Sequence, residues 1–199
     1  MALEDKYVGH LAIYTDGSVD MKRGTSTAAY TIPALSTEKA LLLNIETSST
    51  TAETVAVLLA LKALQERPAA GKAVILTDSR GELNHIADTE NVPLIAQETA
   101  HLAAELEDNG WKLAFQWIPS HCEVHGNLER ADILASRAHD LLSATHDLRR
   151  FHEARLLIAR DLRRRHPDPE TVQGRSPIPC SPRRQADTER LNAFAWTSN

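Results

Sequence analysis

Residues 11–18 read L-A-I-Y-T-D-G-S. The first five are mostly apolar and of β type, and the run closes on a carboxylate followed at once by glycine. This predicts a strand over Leu11–Thr15 that Asp16 ends and Gly17 turns. Working outward, Thr25–Ile32 is rich in Thr, Ala and Tyr and stops at Pro33, and Leu41–Thr47 reads L-L-L-N-I-E-T. Turn chemistry at Asp20–Gly24 and Ser36–Lys39 separates these runs. Three consecutive strands with short links favour an antiparallel meander.

The period then changes from 2 to 3.6. Thr50 or Thr51 is placed to cap a helix through V-A-V-L-L-A-L-K-A-L, with Glu53 in its first turn and Pro68 closing it. Ala73–Thr77 is a short apolar run of the buried-strand type. A short helix is expected over Gly81–Asp88. A longer one is expected over Pro93–Asp108, with Pro93 at the first helical position and Asn109-Gly110 ending it. Leu113–Ile118 reads as a fifth strand and Leu128–Leu142 as a helix. Strand, helix, strand, helix, strand after a meander gives an α/β architecture. It is a mixed five-stranded sheet, three antiparallel strands then two parallel ones, with helices on its faces.

The 199 residues allow one ordinary domain plus an appendage, and 42% hydrophobic content is enough for a core. No apolar run approaches 18 residues and Met1–Asp5 has no signal-peptide pattern, so no membrane partner is expected. Cys122 and Cys180 make no disulfide framework, and an intracellular location, cytoplasmic or nuclear, follows as the default. Charge is unevenly spread. Residues 1–143 hold 11 Lys/Arg against 20 Asp/Glu, a net of −9, whereas residues 144–199 hold 11 Arg against 7 Asp/Glu, a net of +4. An acidic body binds a polyanion poorly unless metal ions offset its charge. Asp147–Arg165 reads as an arginine-rich helix, and the Pro-rich stretch from His166 onward as a mostly disordered tail.

Four acids occupy related positions. Asp16 and Asp78 are placed at the ends of the first and fourth strands, and Glu53 and Asp132 in the first turns of two helices. Ligands of α/β sheets bind at the C-terminal strand edge. Taken singly, each acid has a structural explanation: a helix dipole favours Glu53 and Asp132, and turns favour Asp16 and Asp78. Four carboxylates brought together repel unless a cation joins them, and an all-oxygen set suits Mg²⁺ or Mn²⁺.

The motifs Y-T-D-G-S, T-T-A-E, L-T-D-S-R and W-I-P-S-H-C followed by G-N-L-E-R-A-D-I-L-A, in this order, resemble type 1 ribonuclease H. They are most similar to the ribonuclease H domains of non-LTR retrotransposon reverse transcriptases. The resemblance spans about residues 8–143, which sets a lead at 1–7, a catalytic domain at 8–143 and an appendage at 144–199. It implies hydrolysis of the RNA strand of an RNA–DNA hybrid by two Mg²⁺ ions, with Mn²⁺ as a substitute. Asp16, Glu53, Asp78 and Asp132 are then the metal ligands, and His121 is the mobile-loop histidine that aids proton transfer or product release. A hybrid is recognised through its backbone and 2′-hydroxyls. Gly17 and Ser18 would meet the scissile strand closely, and Thr50, Thr51, Ser79, Asn84 and Asn127 are candidates for polar contacts. Trp111 and Trp117 are expected in the core or on a sheet face. Cys122 and His125 lack the second ligand pair a zinc site needs.

The sequence departs from the family pattern at two places. The last motif carries one extra residue, Leu128, between Asn127 and Glu129, and Glu123 stands where related elements have glycine. Residues 81–110 contain no Lys or Arg, so the basic protrusion of some relatives is missing and an isolated monomer should hold hybrid weakly. In a parent element a reverse transcriptase would supply that grip. With Met1 just before the first strand, the chain is expected to be a fragment or a freestanding derivative. Beside the active nuclease stand two other readings. One is a nucleic-acid-binding derivative with weak or lost turnover. The other is a transposase or 3′–5′ exonuclease of the same fold group, which the T-D-G-S start and the A-D-I-L-A end fit less well.

Overall fold

A computed structural model describes residues 6–87, 93–119, 128–141 and 143. The strands are β1 (Leu11–Asp20), β2 (Thr25–Ile32), β3 (Thr37–Leu42), β4 (Lys72–Thr77) and β5 (Lys112–Trp117). The helices among the described residues are α1 (Ser49–Gln65), α2 (Arg80–Ala87), α3 (Leu94–Asp108) and α4 (Leu128–Ala138). The sheet order is β3-β2-β1-β4-β5. β1, β2 and β3 pair antiparallel, while β1–β4 and β4–β5 pair parallel. This is the mixed five-stranded architecture expected from the switch of period. No helix among the described residues is long and apolar enough to cross a membrane.

Strand alternation assigns each residue of β1 to a face. Leu11, Ile13 and Val19 join the large core with α1 and α3, where Leu58, Leu61, Leu64 and Ile75 are fully buried. Each such side chain contributes about 1.5–3 kcal/mol of transfer free energy. Ala12 and Tyr14 join the smaller cluster on the other face, against Ala131 of α4. Asp16 and Ser18, in phase with Ala12 and Tyr14, therefore share the α4 face, and Gly17 looks toward α1. Helix α1 is buried continuously from Thr51 to Leu61 between the sheet and α3, so it is apolar nearly all round rather than striped.

Several boundaries differ from the expectation, each for a visible reason. β1 does not stop at Asp16. Its parallel pairing with β4 ends at Tyr14–Leu76, but its antiparallel pairing with β2 continues to Asp20–Thr25. Asp16 and Gly17 are thus mid-strand, and the turn comes at Met21–Gly24. β3 starts at Thr37, inside the predicted Ser36–Lys39 turn. The chain reverses earlier, in a 3₁₀ turn at Pro33–Leu35 that closes on Ser36 at φ 49°. Thr37, Glu38 and Lys39 are exposed on this edge strand, and such polar edges discourage pairing with other chains. Leu43–Thr47 instead leads into α1, and its Leu43 and Thr47 amides donate to Ser26.

The α1 cap is Ser48, whose hydroxyl accepts from the Thr51 N–H at 3.1 Å, not Thr50 or Thr51. Glu53 accordingly lies in the second turn, with no acid in the first. Pro93 is the residue before α3 rather than its first, while Asn109 ends the helix and Gly110 takes φ 93° as expected. α4 ends at Ala138, short of Leu142, because the Thr27 hydroxyl takes the Ala135 carbonyl at 2.8 Å and the chain then turns through Asp140 and Leu141. Trp111 is buried in the core. The predicted arginine helix and tail, residues 144–199, lie outside the described residues.

Candidate active site

The site is built where β1 and β4 part. Beyond the Tyr14–Leu76 pair the Thr15 hydroxyl still reaches β4, donating to the Leu76 carbonyl at 3.4 Å. Asp16 follows on β1. Asp78 is the first residue after β4, and the Trp117 indole N–H donates to its backbone carbonyl at 3.0 Å. Glu53 comes from α1, on the opposite face of the sheet, and its approach depends on Gly17. A Cβ on Gly17 would land on the Glu53 amide nitrogen and the Ala52 carbonyl carbon, so only glycine lets α1 sit this close to β1. The Gly17 backbone N–H in turn donates toward the Glu53 carboxyl.

Asp16, Glu53 and Asp78 each offer one carboxylate oxygen, all within 4.8 Å of one another. Asp16 is 9% exposed and Glu53 6%. Burial, then the nearby charges of Asp132 and Asp78, push the Asp16 carboxyl up to about 7. Burial, then Asp16, Glu82 and Asp78, push Glu53 up to about 10, against the smaller opposing effect of the Gly17 N–H. Among the described residues, Glu53 Oε2 is buried without a hydrogen-bond partner. Hard oxygen donors, mutual repulsion and an orphaned buried acceptor fit a divalent cation.

Asp132 lies on the exposed side of α4, outside this three-acid group, yet near enough for its charge to act on Asp16. The helix that carries it is fastened at both ends. Arg130 makes a bidentate pair with Glu38 of β3 at 2.9 and 2.7 Å. Beyond the other end, Asp140 pairs with Arg23 at 2.7 Å, and His139 Nδ1 lies 2.7 Å from the Thr25 hydroxyl.

The remaining sequence candidates are placed as follows. Gly17 is a packing position. The Ser18 hydroxyl lies 3.1 Å from His139 Nε2. Thr51 is 1% exposed and its hydroxyl accepts from Ser48, which makes it part of the α1 cap. The Ser79 hydroxyl accepts from the Glu82 N–H at 3.3 Å, and Asn84 is exposed on α2. His121 and Asn127 lie outside the described residues, as do Cys122, Glu123 and His125.

Sequence reading missed Glu82, Trp117 as a backbone support, and His139. Glu82 is fully buried, its Oε1 has no partner among the described residues, and burial holds its carboxyl well above the usual carboxylate range. One signal for it was present: S-R-G-E, residues 79–82, has the S-x-x-E spacing of a capping box.

A sheet in this order, with carboxyls converging where its two central parallel strands part, defines the ribonuclease H-like class of α/β nuclease folds. The model of the RNase H family matches residues 9–140, and the chain belongs to that family. No curated protein matches the chain. Membership implies a nuclease of the ribonuclease H kind with RNA–DNA hybrid as its ligand, and the family typically uses divalent metals, with which the buried acids are compatible.

Proposed function

We propose that the protein is an endonuclease that hydrolyses the RNA strand of RNA–DNA hybrids, with residues 8–143 as the catalytic unit. The observation that carries this is the convergence of Asp16, Glu53 and Asp78 to within 4.8 Å in a family whose members are nucleases. Asp16, Glu53, Asp78 and Asp132 would hold two Mg²⁺ ions, or Mn²⁺ in their place. Bound divalent ions supply a water activated for attack at phosphorus and stabilise the leaving 3′ oxygen. The chain's own contribution is to hold the acids in place before substrate arrives: Gly17 admits Glu53, Trp117 supports Asp78, and α4 presents Asp132 from the exposed side.

Arg80, two residues after Asp78 in sequence, adds a cation: its guanidinium lies 3.9 Å from the centre of the Trp117 ring, and that stacking would hold it for a substrate phosphate. His121 would assist proton transfer or product release. With a body of net −9 and no Lys or Arg over residues 81–110, the body's grip on hybrid is weak. We assign the additional grip to the 11 arginines of residues 144–199, and, in a parent retroelement, to a reverse transcriptase. Truncation after Ser143 should then raise KM and flatten the salt dependence with little change in kcat, measured for the full and the truncated chain at two salt concentrations.

The extra Leu128 in the last motif favours a second reading, a hybrid-binding derivative of a retrotransposon domain with little turnover. One gel separates the two: labelled hybrid, duplex RNA and duplex DNA with Mg²⁺, Mn²⁺ or EDTA. Cleavage of the RNA strand of hybrid alone, abolished by EDTA, is expected. Hybrid retention without cleavage would support the second reading. Equal cleavage of duplex DNA, or activity that survives chelation, would contradict both.

A further inference from the structure

Glu82 is the most deeply buried acid among the described residues, and no role assigned so far uses it. It sits four residues after Asp78, in the first turn of α2. In an ordinary capping box the N3 glutamate reaches back to the backbone N–H of the cap residue while the cap hydroxyl accepts from the N3 N–H. Only the second half is formed directly here: the Ser79 hydroxyl accepts from the Glu82 N–H at 3.3 Å. The first half is relayed. The Ser79 N–H donates to the Thr77 hydroxyl at 3.1 Å, and that hydroxyl donates to Glu82 Oε2 at 2.9 Å. The Leu83 N–H also donates to the Ser79 carbonyl at 3.4 Å.

The residue enclosed by this relay is Asp78. Thr77 precedes it, Ser79 follows it, and Glu82 ties the two together from below. A carboxyl that is 0% exposed is costly to bury, and an apolar side chain at this position would pack against the same neighbours. What an apolar side chain could not do is accept the Thr77 hydrogen bond, which orients that hydroxyl toward the Ser79 amide.

We infer that Glu82 is a positioning residue for Asp78, acting through the Thr77 hydroxyl on the Ser79 N–H to fix the turn that presents the Asp78 carboxylate to the metal. This rests on the metal-site reading above. Glu82→Gln keeps the length, the shape and an acceptor oxygen for Thr77 but removes the acid. Glu82→Ala removes the acceptor. Thr77→Val cuts the relay while leaving Glu82 in place, and its β-branched side chain suits the strand, which covers the case in which Glu82→Ala fails to fold.

The test is a Mn²⁺ titration of the full chain, read by the metal-induced rise in Tm without substrate and, separately, by hybrid cleavage. The half-saturating Mn²⁺ concentration for Glu82→Gln should stay within about threefold of wild type. For Glu82→Ala and Thr77→Val it should rise about tenfold or more, the scale of losing a group that orients a metal ligand. The double variant should be no worse than either single one, since both break the same relay. Lower Tm with an unchanged Mn²⁺ midpoint in Glu82→Ala and Thr77→Val would overturn the inference and leave Glu82 merely structural. Glu82→Gln impaired as badly as Glu82→Ala would also overturn it, because the acid itself would then matter. A wild type whose Tm ignores Mn²⁺ would remove the metal-site reading, and this inference with it.

Discussion

The two sides of the acidic site are built in opposite ways. On one side Asp16, Glu53 and Glu82 are buried, set on a mid-sheet strand, a helix covered nearly all round and a relayed helix cap. On the other, Asp132 is exposed on a surface helix held by exposed ion pairs. The buried side has its geometry fixed by packing, at the cost of carboxyls whose charged forms are disfavoured without a cation. The exposed side keeps its acid solvated. On the proposed function a metal ion would meet a rigid wall facing a solvated fourth acid, and substitutions on the two sides should differ in kind.

The largest effect is expected at Asp78. Asp78→Asn should lower hybrid cleavage by more than about 100-fold, since losing a first ligand exceeds the upper end of what outer partners cost. The Tm without metal should stay the same or rise, because like-charge repulsion is relieved. Turnover and Tm measured on one sample check this, and a collapse of stability would make Asp78 structural. Gly17→Ala comes next and should strike both properties. Its Cβ meets backbone atoms of Ala52 and Glu53 that cannot swing aside, so about 3 kcal/mol of stability should be lost, at the upper end for overpacking. Activity should fall with it as α1 carries Glu53 away. Urea unfolding and cleavage assays measure the two losses.

A moderate effect is expected from pH. The folded state raises Asp16 from 3.8 to about 7 and Glu53 from 4.5 to about 10. Between those limits the native protein binds more protons than the unfolded chain, so stability without metal falls as pH rises, through about pH 7 for Asp16 and beyond it for Glu53. Glu53→Gln should flatten that slope and raise the metal-free Tm at pH 8 relative to wild type. Equal slopes in thermal melts from pH 5 to pH 8 would show that Glu53 is not a buried acid in solution. The smallest effect is expected on the exposed side. Arg130→Ala breaks only a solvated ion pair with Glu38, so Tm should barely move, and any loss should appear as weaker metal saturation in the cleavage assay.

The order of elements was legible because period and punctuation are local. The Thr-, Ala- and Tyr-rich run of Thr25–Ile32 with its Pro33 stop, the covered run of α1 and the Asn109-Gly110 stop each depend on neighbours in sequence. The end of β1 was not, because whether the strand continues past Asp16 depends on β2 and β4, one of which pairs on and one of which stops. Edge polarity hid the start of β3 in the same way. Asp16, Glu53 and Asp78 could be named from their motifs, whereas Glu82 and His139 could not be connected to them. Their partners, Thr77 and Ser18, acquire meaning only when a turn is closed or a helix end is laid on a strand.

The most direct test of the buried side is the number of protons released when Mn²⁺ binds. At pH 6 the metal-free protein should hold protons on Glu53 and largely on Asp16, and a cation must displace them to be ligated by carboxylates. Calorimetric titration of the full chain in buffers of different ionisation enthalpy measures this number. About one to two protons released per site filled at pH 6, falling as the pH is raised past 7, is the predicted result. Mn²⁺ binding with no proton release, or no binding at all, would contradict the account.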